Sequence, residues 1–510
     1  MKRTKSASWI MAGLNVFAFA LLIFIRNADS AAGNVLFIIC LALLAVDLLW
    51  AAFSKNCLGL WLIPAEIALV LLCHYPRQFA SVDIHNLSGA SMLADCAAFA
   101  MPLAAGLFFA LDALGVGRAW KDPRFLRPLK RLLAPVLLIG LFFFALLGYD
   151  NMHNFGYSVH EFTTTRADYL LIALIFMISC LFLRLFWEAR EDGWKDHLWR
   201  HLSMLTIFAV LAGYGSFGLL RGYLAFNKDA AAAEEEYTAM FGEPSKNYAG
   251  DVRQVPMSLP ALFFGIRNGK NYEVMSDVAY CTIPEDEGIF AGMRLAYDIY
   301  LPTGPDAHRS VVVMLHGSGG DKSKTDNPQR SRYLASKGYT VFELQVGDRS
   351  ERDTGFPEGA DTDWEFMLRN IDRFFAYAAA HESVNANFDS VFLMGSSMGG
   401  FLTTDYIYRY EHKYQDHGVN IRGIVPLYGV ISEAEIRKDS LPAFIYTGDH
   451  DGYVNVWDIY GLREKYSEAG NPNALALTVS FGGHSCDIEF SSRPGQLQLY
   501  YLERFFGQLR

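Results

Sequence analysis

Hydrophobic positions divide this chain at about residue 224. Up to that point the apolar residues run in long stretches that contain few charges. These stretches lie at about 8–25, 34–53, 57–74, 91–113, 132–149, 168–187 and 202–224. A helix needs about 20 consecutive, mostly apolar residues to cross a bilayer. The pattern therefore predicts a membrane domain with about seven transmembrane helices over residues 1–224.

From residue 271 onward the apolar runs are short and alternate with helical patterns. Eight runs predict strands, at Tyr272–Ile283, Arg294–Tyr300, Ser310–Leu315, Thr340–Gln345, Ser390–Met394, Arg422–Tyr428, Pro442–Thr447 and Leu475–Phe481. Five patterns predict helices, at Pro328–Lys337, Asp361–His381, Phe401–Gln415, Trp457–Ala469 and Gly495–Leu509. Short apolar runs are typical of strands covered on both faces, and their alternation with helices favours a parallel sheet. We predict an α/β domain over 271–510, with a mostly parallel eight-stranded sheet and helices on both faces.

Residues 225–270 connect the two halves, and we predict a linker or lid-like segment there. An alanine and glutamate run from Ala230 to Glu236 favours a helix that continues out of the last apolar stretch. Pro244 and Pro256 interrupt the segment further on. Met257–Ile266 is apolar again, and three locations stay open for it: the membrane interface, the catalytic face as a lid, or the side of the sheet.

Composition and charge also differ between the halves. The chain of 510 residues is 52% hydrophobic and has a formal net charge of −10. Residues 1–224 contain 18 Lys+Arg and 14 Asp+Glu, a net charge of +4, so the remainder carries −14. An acidic domain does not attract polyanions. Nucleic acid is therefore excluded as an expected partner, whereas membrane lipids are expected partners of the first half.

Lysine and arginine positions predict the orientation of the membrane domain. With a cytoplasmic N-terminus, the inner segments hold fourteen Lys and Arg residues and the outer segments only four. Cytoplasmic segments carry the excess of positive charge in membrane proteins. Seven spans then place the second half on the extracytoplasmic side of the cell membrane. A signal peptide that ends near Ala28–Ala31 is an alternative for the first stretch, and a miscount of one helix would invert the orientation.

The segment Gly395-Ser396-Ser397-Met398-Gly399 contains the strongest chemical signal in the second half. It lies between the predicted strand Ser390–Met394 and the predicted helix that begins at Phe401. A serine on a sharp turn between a strand and a helix projects its hydroxyl toward a base, and flanking glycines leave room for the strained backbone. Ser397 is therefore a candidate nucleophile.

Three further motifs accompany this turn. The strand Ser310–Leu315 ends in a glycine-rich turn, His316–Gly320, and the backbone N–H groups of Ser318 and Met398 are the expected donors to an oxyanion. Carboxylates in Gly448–Gly452 follow a later strand, and His484 follows the last predicted strand. The order along the chain is therefore serine, acid, histidine.

With these four motifs in this order, the chain from about Tyr272 to Arg510 resembles the α/β-hydrolase superfamily, and its serine esterase-like members in particular. The resemblance implies that Ser397 is the nucleophile, His484 the general base and Asp451 the acid that orients His484, with Asp449 as the second candidate acid. Only about a dozen residues separate the strands that end near Tyr428 and begin at Pro442. We therefore expect no large cap insertion.

The sequence predicts a membrane-bound serine hydrolase, an esterase that cleaves a small or lipid-like acyl ester on the extracytoplasmic side. Peptidase, thioesterase and acyltransferase activities use the same triad and stay open. So does a non-catalytic membrane sensor or transport protein with a hydrolase-like ligand-binding domain. No cofactor is implied, and no Cys/His spacing resembles a zinc site. Cys281 and Cys486 are either a disulfide or two free thiols.

Overall fold

The computed structural model consists of two compact units. It describes all residues except 1, 55, 81–86, 118–125, 154–164, 191–197, 267–268, 286–290, 306, 319–321, 323–327, 348–363, 382–385, 410–412 and 432–433. One unit comprises Met1–Leu224 and Met257–Ile266, and the other comprises Ala225–Pro256 and Arg267–Arg510. The predicted segment 225–270 is thus divided between them. Gly319, Gly320 and the basic segment 118–125 lie outside the described residues.

The first unit is helical. Its long helices are α1 Lys2–Ile25, α2 Ala31–Phe53, α3 Gly59–Ala80, α4 Leu87–Leu114, α5 Leu126–His153, α6 Thr165–Arg190 and α7 Leu198–Phe241, the last of which continues into the second unit. Six of them, all but α3, have the length and apolar composition to cross a membrane, counted over the described residues. The apolar part of α3, Gly59–His74, is shorter. The number of spans, about seven, stays a prediction.

Small residues allow two of these helices to approach closely. A Cβ atom on Gly218 of α7 would lie 2.4 Å from the backbone oxygen of Gly148 on α5. Close backbone contact through glycine is typical of helices that associate in lipid. Large apolar side chains, among them Phe24, Phe143 and Trp199, are exposed on the outside of this unit. Such an apolar surface is unfavourable in water and favourable against lipid.

A short helix, α8 Leu259–Phe264, also belongs to the helical unit. The hydroxyl of Ser258 caps it by accepting the backbone N–H of Ala261 at 3.3 Å. Phe263 packs against Phe37 of α2, with ring centroids 5.1 Å apart. The apolar segment Met257–Ile266 therefore packs within this helical unit.

The second unit is built on one eight-stranded sheet. The strands are β1 Tyr272–Thr282, β2 Arg294–Pro302, β3 Ser310–Leu315, β4 Thr340–Leu344, β5 Asn387–Ser396, β6 Ile421–Leu427, β7 Ala443–Gly448 and β8 Ala474–Val479. Their order in the sheet is β1-β2-β4-β3-β5-β6-β7-β8. All eight predicted strands are present: β3 has the predicted bounds, and each of the others has at least one shifted end. The arrangement is consistent with the α/β-hydrolase fold.

The prediction of a mostly parallel sheet needs a correction, because the sheet is mixed. β1 pairs antiparallel with β2, and β2 pairs antiparallel with β4, whereas the pairs from β4 to β8 are parallel. Only residues 283–293 separate β1 from β2. A short connection permits an antiparallel neighbour, whereas a parallel neighbour needs a long crossover. The short connection is the feature of the sequence from which the antiparallel pairing of β1 and β2 could have been predicted.

Helices cover both faces of the sheet. They are α9 Pro328–Ser336, α10 Trp364–Ala380, α11 Met398–Arg409, α12 Lys413–Asp416, α13 Val456–Glu468 and α14 Arg493–Leu509. Along β5, Val391 and Leu393 lie in one buried cluster with side chains of α10 and α11. Phe392 points to the other face and packs on Phe506 of α14, with centroids 4.3 Å apart. Alternate residues of a strand thus meet different helix layers.

Residues Ala225–Pro256 pack on α14. The hydroxyl of Tyr501 donates to the backbone oxygen of Ala230 at 2.9 Å. The guanidinium of Arg253 donates to Gln496 at 2.8 Å, and the backbone N–H of Arg253 donates to Glu503 at 3.0 Å. These bonds are buried or partly buried, so the segment that follows the last apolar stretch is an integral part of the sheet unit.

Candidate active site

Ser397 occupies the sharp turn between β5 and α11. Its backbone is in the left-handed region, with φ 53°, and its N–H donates to the backbone oxygen of Leu427 on β6 at 2.9 Å. A non-glycine residue pays a conformational cost in that region, which the surrounding structure has to offset. A Cβ atom on Gly399 would lie 2.2 Å from the backbone oxygen of Leu315 on β3. Glycine at this position therefore lets the turn approach the neighbouring strand.

His484 lies on the loop after β8, beside Ser397. Its Nε2 atom is 2.9 Å from Oγ of Ser397, and its side chain is mostly buried. Two residues of this loop, Phe481 and Ser485, have left-handed backbones with φ 57° and 56°. The loop is thus bent sharply on both sides of the histidine, which turns the imidazole ring toward the serine.

Asp451 lies on the other side of the imidazole, on the loop after β7. Its Oδ2 atom is 2.8 Å from Nδ1 of His484, and its side chain is fully buried. Oδ1 accepts the backbone N–H groups of Tyr453 and Val454, both at 2.9 Å. Both carboxylate oxygens are therefore fixed, and a carboxylate oxygen beside Nδ1 favours the tautomer with the proton on Nδ1. This tautomer leaves Nε2 free to accept from Ser397.

Asp449, the second candidate acid, has different partners. Its Oδ1 atom accepts the backbone N–H of Phe481 at 2.6 Å and lies 2.6 Å from Nδ1 of His450. The structure thus brings Asp451 to His484 and brings Asp449 to the loop that precedes His484.

The two predicted oxyanion donors lie near Ser397. Met398 is the first residue of α11, and Ser318 lies on the turn after β3. A Cβ atom on Gly317, next to Ser318, would lie 3.4 Å from Cβ of Ser397. The backbone N–H groups of Ser318 and Met398 donate to no acceptor among the described residues. N–H groups at the start of a helix have no partner within the helix and are suited to binding an anion.

Aromatic residues that the sequence did not indicate surround His484. The buried ring of Tyr428 lies edge-on to the imidazole, with centroids 4.8 Å apart. Tyr453 lies on the solvent side, 5.4 Å from His484, and is 62% exposed, and Trp457 nearby in sequence is 73% exposed. Tyr428 directly follows β6. Its position at the carboxyl end of a parallel strand, where ligands bind in such sheets, was the available signal.

Cys486 lies two residues after His484, but its thiol is fully buried. Tyr446 contacts the sulfur with its hydroxyl at 3.2 Å. Burial raises the pKa of the Cys486 thiol well above its usual value, so the reactive thiolate is disfavoured. Cys281 is partly buried, and neither of these two cysteines forms a disulfide in the structure. Ser397 is thus the accessible nucleophilic side chain beside the histidine.

A separate cavity of about 640 Å³, including its open mouth, lies in the helical unit. Its lining is almost entirely apolar and includes Ala18, Phe37, Met101, Met177 and Phe264. Ser397, Asp451 and His484 do not line this cavity. Over the described residues, no group of three or more His, Cys, Asp and Glu side chains is arranged to hold a metal ion.

No family model matches the sequence, and no curated protein matches it. Solved structures similar to the chain include esterase B from Lactobacillus rhamnosis, at 15% identity over 57% of this chain and 94% of that one, with TM-score 0.36. Brefeldin A esterase, a bacterial homologue of human hormone sensitive lipase, is 13% identical over 56% and 87%, with TM-score 0.37. A bacterial heroin esterase is 13% identical over 56% and 93%, with TM-score 0.37. The function is therefore inferred from the geometry of the site itself.

Proposed function

We propose that the protein is a membrane-bound serine hydrolase that cleaves acyl esters. The observation that carries the proposal is one continuous chain of contacts, Asp451 to His484 at 2.8 Å and His484 to Ser397 at 2.9 Å. A serine, an imidazole and a buried carboxylate in this order form the arrangement that activates a hydroxyl for acyl transfer. The left-handed backbone of Ser397 supports the proposal, because backbone strain of this kind clusters at functional sites.

In the proposed reaction, Oγ of Ser397 attacks the acyl carbon while Nε2 of His484 takes the hydroxyl proton. Asp451 accepts the Nδ1 proton and stabilises the imidazolium that forms. The N–H groups of Ser318 and Met398 hold the developing oxyanion. His484 then gives its proton to the leaving alcohol, and an acyl group stays on Ser397. Water, activated by His484 in the same way, releases the acid and restores the serine.

The surroundings of the site support a neutral, partly apolar substrate. Tyr453 offers exposed aromatic surface on the solvent side of His484. Aromatic rings contribute large apolar contact areas to binding. The net charge of −14 after residue 224 disfavours anionic substrates. A small or lipid-like acyl ester fits both observations.

Hydrolysis of simple esters tests this function. The purified full-length protein, in detergent or nanodiscs, is offered p-nitrophenyl esters whose acyl chains increase in length from acetate upward. We expect saturable release of p-nitrophenol, with a preference for one range of chain length. Binding of esters without any turnover would favour the non-catalytic sensor instead, and transfer of the acyl group to an added alcohol in preference to water would favour an acyltransferase.

The helical unit supports a membrane location for this activity. The six long apolar helices counted over its described residues, its exposed apolar side chains and its apolar cavity all suit contact with lipid. From the fourteen to four distribution of Lys and Arg, we infer a cytoplasmic N-terminus and an extracytoplasmic hydrolase domain. We expect protease added outside intact cells to cleave the domain 271–510. Protection of that domain until the cells are lysed would contradict the orientation.

A further inference from the structure

Asp229, on the carboxyl-terminal part of α7, reaches the loop that leads to His484. Its side chain is buried, with only 5% of the residue exposed. Oδ1 accepts the hydroxyl of Ser480 at 2.6 Å, and Oδ2 accepts the backbone N–H of the same residue at 2.9 Å. Ser480 directly follows β8 and begins the five-residue turn that ends at His484. One carboxylate thus holds the first residue of this turn by two bonds.

Arg493, at the start of α14, contacts both partners. Its Nη2 atom donates to the backbone oxygen of Ser480 at 3.0 Å, and its Nη1 atom lies 3.7 Å from Oδ2 of Asp229. The guanidinium is 1% exposed. A buried positive charge near the carboxylate offsets part of the cost of burying both groups. Asp229 and Arg493, both buried, therefore hold the partly buried Ser480 at the base of the turn.

The next residue of the turn needs this support. Phe481 has a left-handed backbone, and its N–H donates to Asp449 at 2.6 Å. Two consecutive backbone N–H groups, those of Ser480 and Phe481, are thus bound by two carboxylates. A strained residue keeps its conformation only where its neighbours hold it there. Three residues later, Nε2 of His484 must meet Oγ of Ser397.

We propose that Asp229 is a positioning residue for His484. By fixing Ser480, it sets the start of the turn and thereby the distance from the imidazole to Ser397. The inference rests on the proposed function, in which His484 is the general base. It also gives the segment after the last apolar stretch a role in the chemistry, because Asp229 lies on the helix Leu198–Phe241 that contains that stretch.

The test compares Asp229→Ala and Asp229→Asn with the wild-type full-length protein. A misplacement of about 1 Å can cost about 100-fold in rate. We therefore expect Asp229→Ala to lower kcat about 10- to 100-fold with little change in KM, and to shift the apparent pKa of the pH–rate profile. Asp229→Asn keeps an oxygen that can accept from Ser480, so its loss should be smaller. The rate of phosphonate labelling of Ser397 should fall in parallel with kcat.

Glu236→Ala is the matched control. Glu236 lies on the same helix and pairs with Arg463 of α13 at 2.7 Å, and both side chains are partly exposed. We expect its kcat to change less than about 2-fold, as for exposed ion pairs generally. Ser480→Ala removes one of the two bonds, and its effect should not add to that of Asp229→Ala, because neighbours that act together are not additive.

The outcomes separate the two proposals. A wild-type protein that neither hydrolyses esters nor reacts with a phosphonate overturns the proposed function. If the wild type is active and Asp229→Ala is equally active per folded molecule, the positioning role alone is overturned. Equal losses in Asp229→Ala and Glu236→Ala, with equal falls in melting temperature and unchanged pH profiles, would also overturn it. If Asp229→Ala does not fold, the same measurements are made on Asp229→Asn and Ser480→Ala and are judged by the same criteria.

Discussion

We expect Ser397→Ala to lower ester hydrolysis at least about 10⁴-fold, because it removes the atom that attacks the acyl carbon in the proposed reaction. We expect residual activity only from the proposed oxyanion donors and from substrate binding, which the substitution leaves in place. The measurement is kcat/KM of the purified full-length protein on the ester that the chain-length series identifies. Ser397 is partly exposed, so the change leaves little cavity, and the melting temperature should stay close to that of the wild type.

The control for this variant is Ser276→Ala. Ser276 is exposed on β1, and its loss should leave kcat/KM within about 2-fold of the wild type, as is usual for surface substitutions. A Ser397→Ala protein that is folded and retains more than a tenth of wild-type activity would show that another group is the nucleophile.

Asp451→Asn lowers kcat about 10³- to 10⁴-fold, the second largest effect that we expect. An asparagine can present its NH₂ group to Nδ1 of His484, which favours the tautomer whose Nε2 carries the proton. That nitrogen can no longer accept from Ser397. The fully buried position of Asp451 also means that water does not substitute for the lost charge.

Asp449→Asn is the matched comparison, two residues away in the same loop. Asp449 accepts from Phe481 and contacts His450, and an asparagine oxygen can still accept from that N–H. We expect kcat to fall less than about 10-fold, in proportion to one weakened hydrogen bond. Both variants are measured side by side. A larger loss of kcat in Asp449→Asn than in Asp451→Asn would show that Asp449, and not Asp451, is the acid that orients His484.

The sequence predicted the strands well because several of them are short apolar runs bounded by turn residues. β5 is longer than predicted, Asn387–Ser396 instead of Ser390–Met394. Gly395 and Ser396 favour turns locally, yet they pair with Pro426 and Leu427 of β6. Pairing with a neighbouring strand overrode local propensity, and no single segment contains that information.

The antiparallel pairing of β2 with β4 is a second feature that the hydrophobic pattern does not predict. The apolar pattern of β2 is compatible with either direction of pairing, because the side-chain period of a strand is the same in both. Its neighbour in the sheet is β4, with which it pairs antiparallel, whereas β3 follows it in the chain. Strand order depends on how distant elements pack, so the pattern predicted the strands but not this part of the topology.

Some residues of the candidate site could likewise be predicted from the sequence, and others could not. Ser397, Asp451 and His484 each stand in a recognisable local context of strand end and glycine, and the structure brings the three together. Asp229 had no such context. It precedes an alanine and glutamate run that predicts only a helix, and 251 positions separate it from its partner Ser480. Tyr428 and Tyr453 likewise come to His484 only through the fold.

In the helical unit the sequence predicted the apolar helices but not the place of Met257–Ile266. That segment is short and apolar, and such a run suits a lipid interface, a lid or a protein core equally well. In the structure Phe263 and Phe264 pack on Phe37, and they also line the apolar cavity. The hydrophobic pattern determines that these residues are buried, whereas their partners depend on the assembled bundle.

Covalent labelling of Ser397 tests the central claim most directly. A fluorophosphonate reacts with a serine only when a neighbouring base activates the hydroxyl. The purified full-length protein is incubated with the reagent, and the modified residue is located by mass spectrometry. We expect one adduct, on Ser397, and none on the Ser397→Ala protein. Folded wild-type protein that stays unmodified, or that is modified elsewhere to the same extent with and without Ser397, would contradict it.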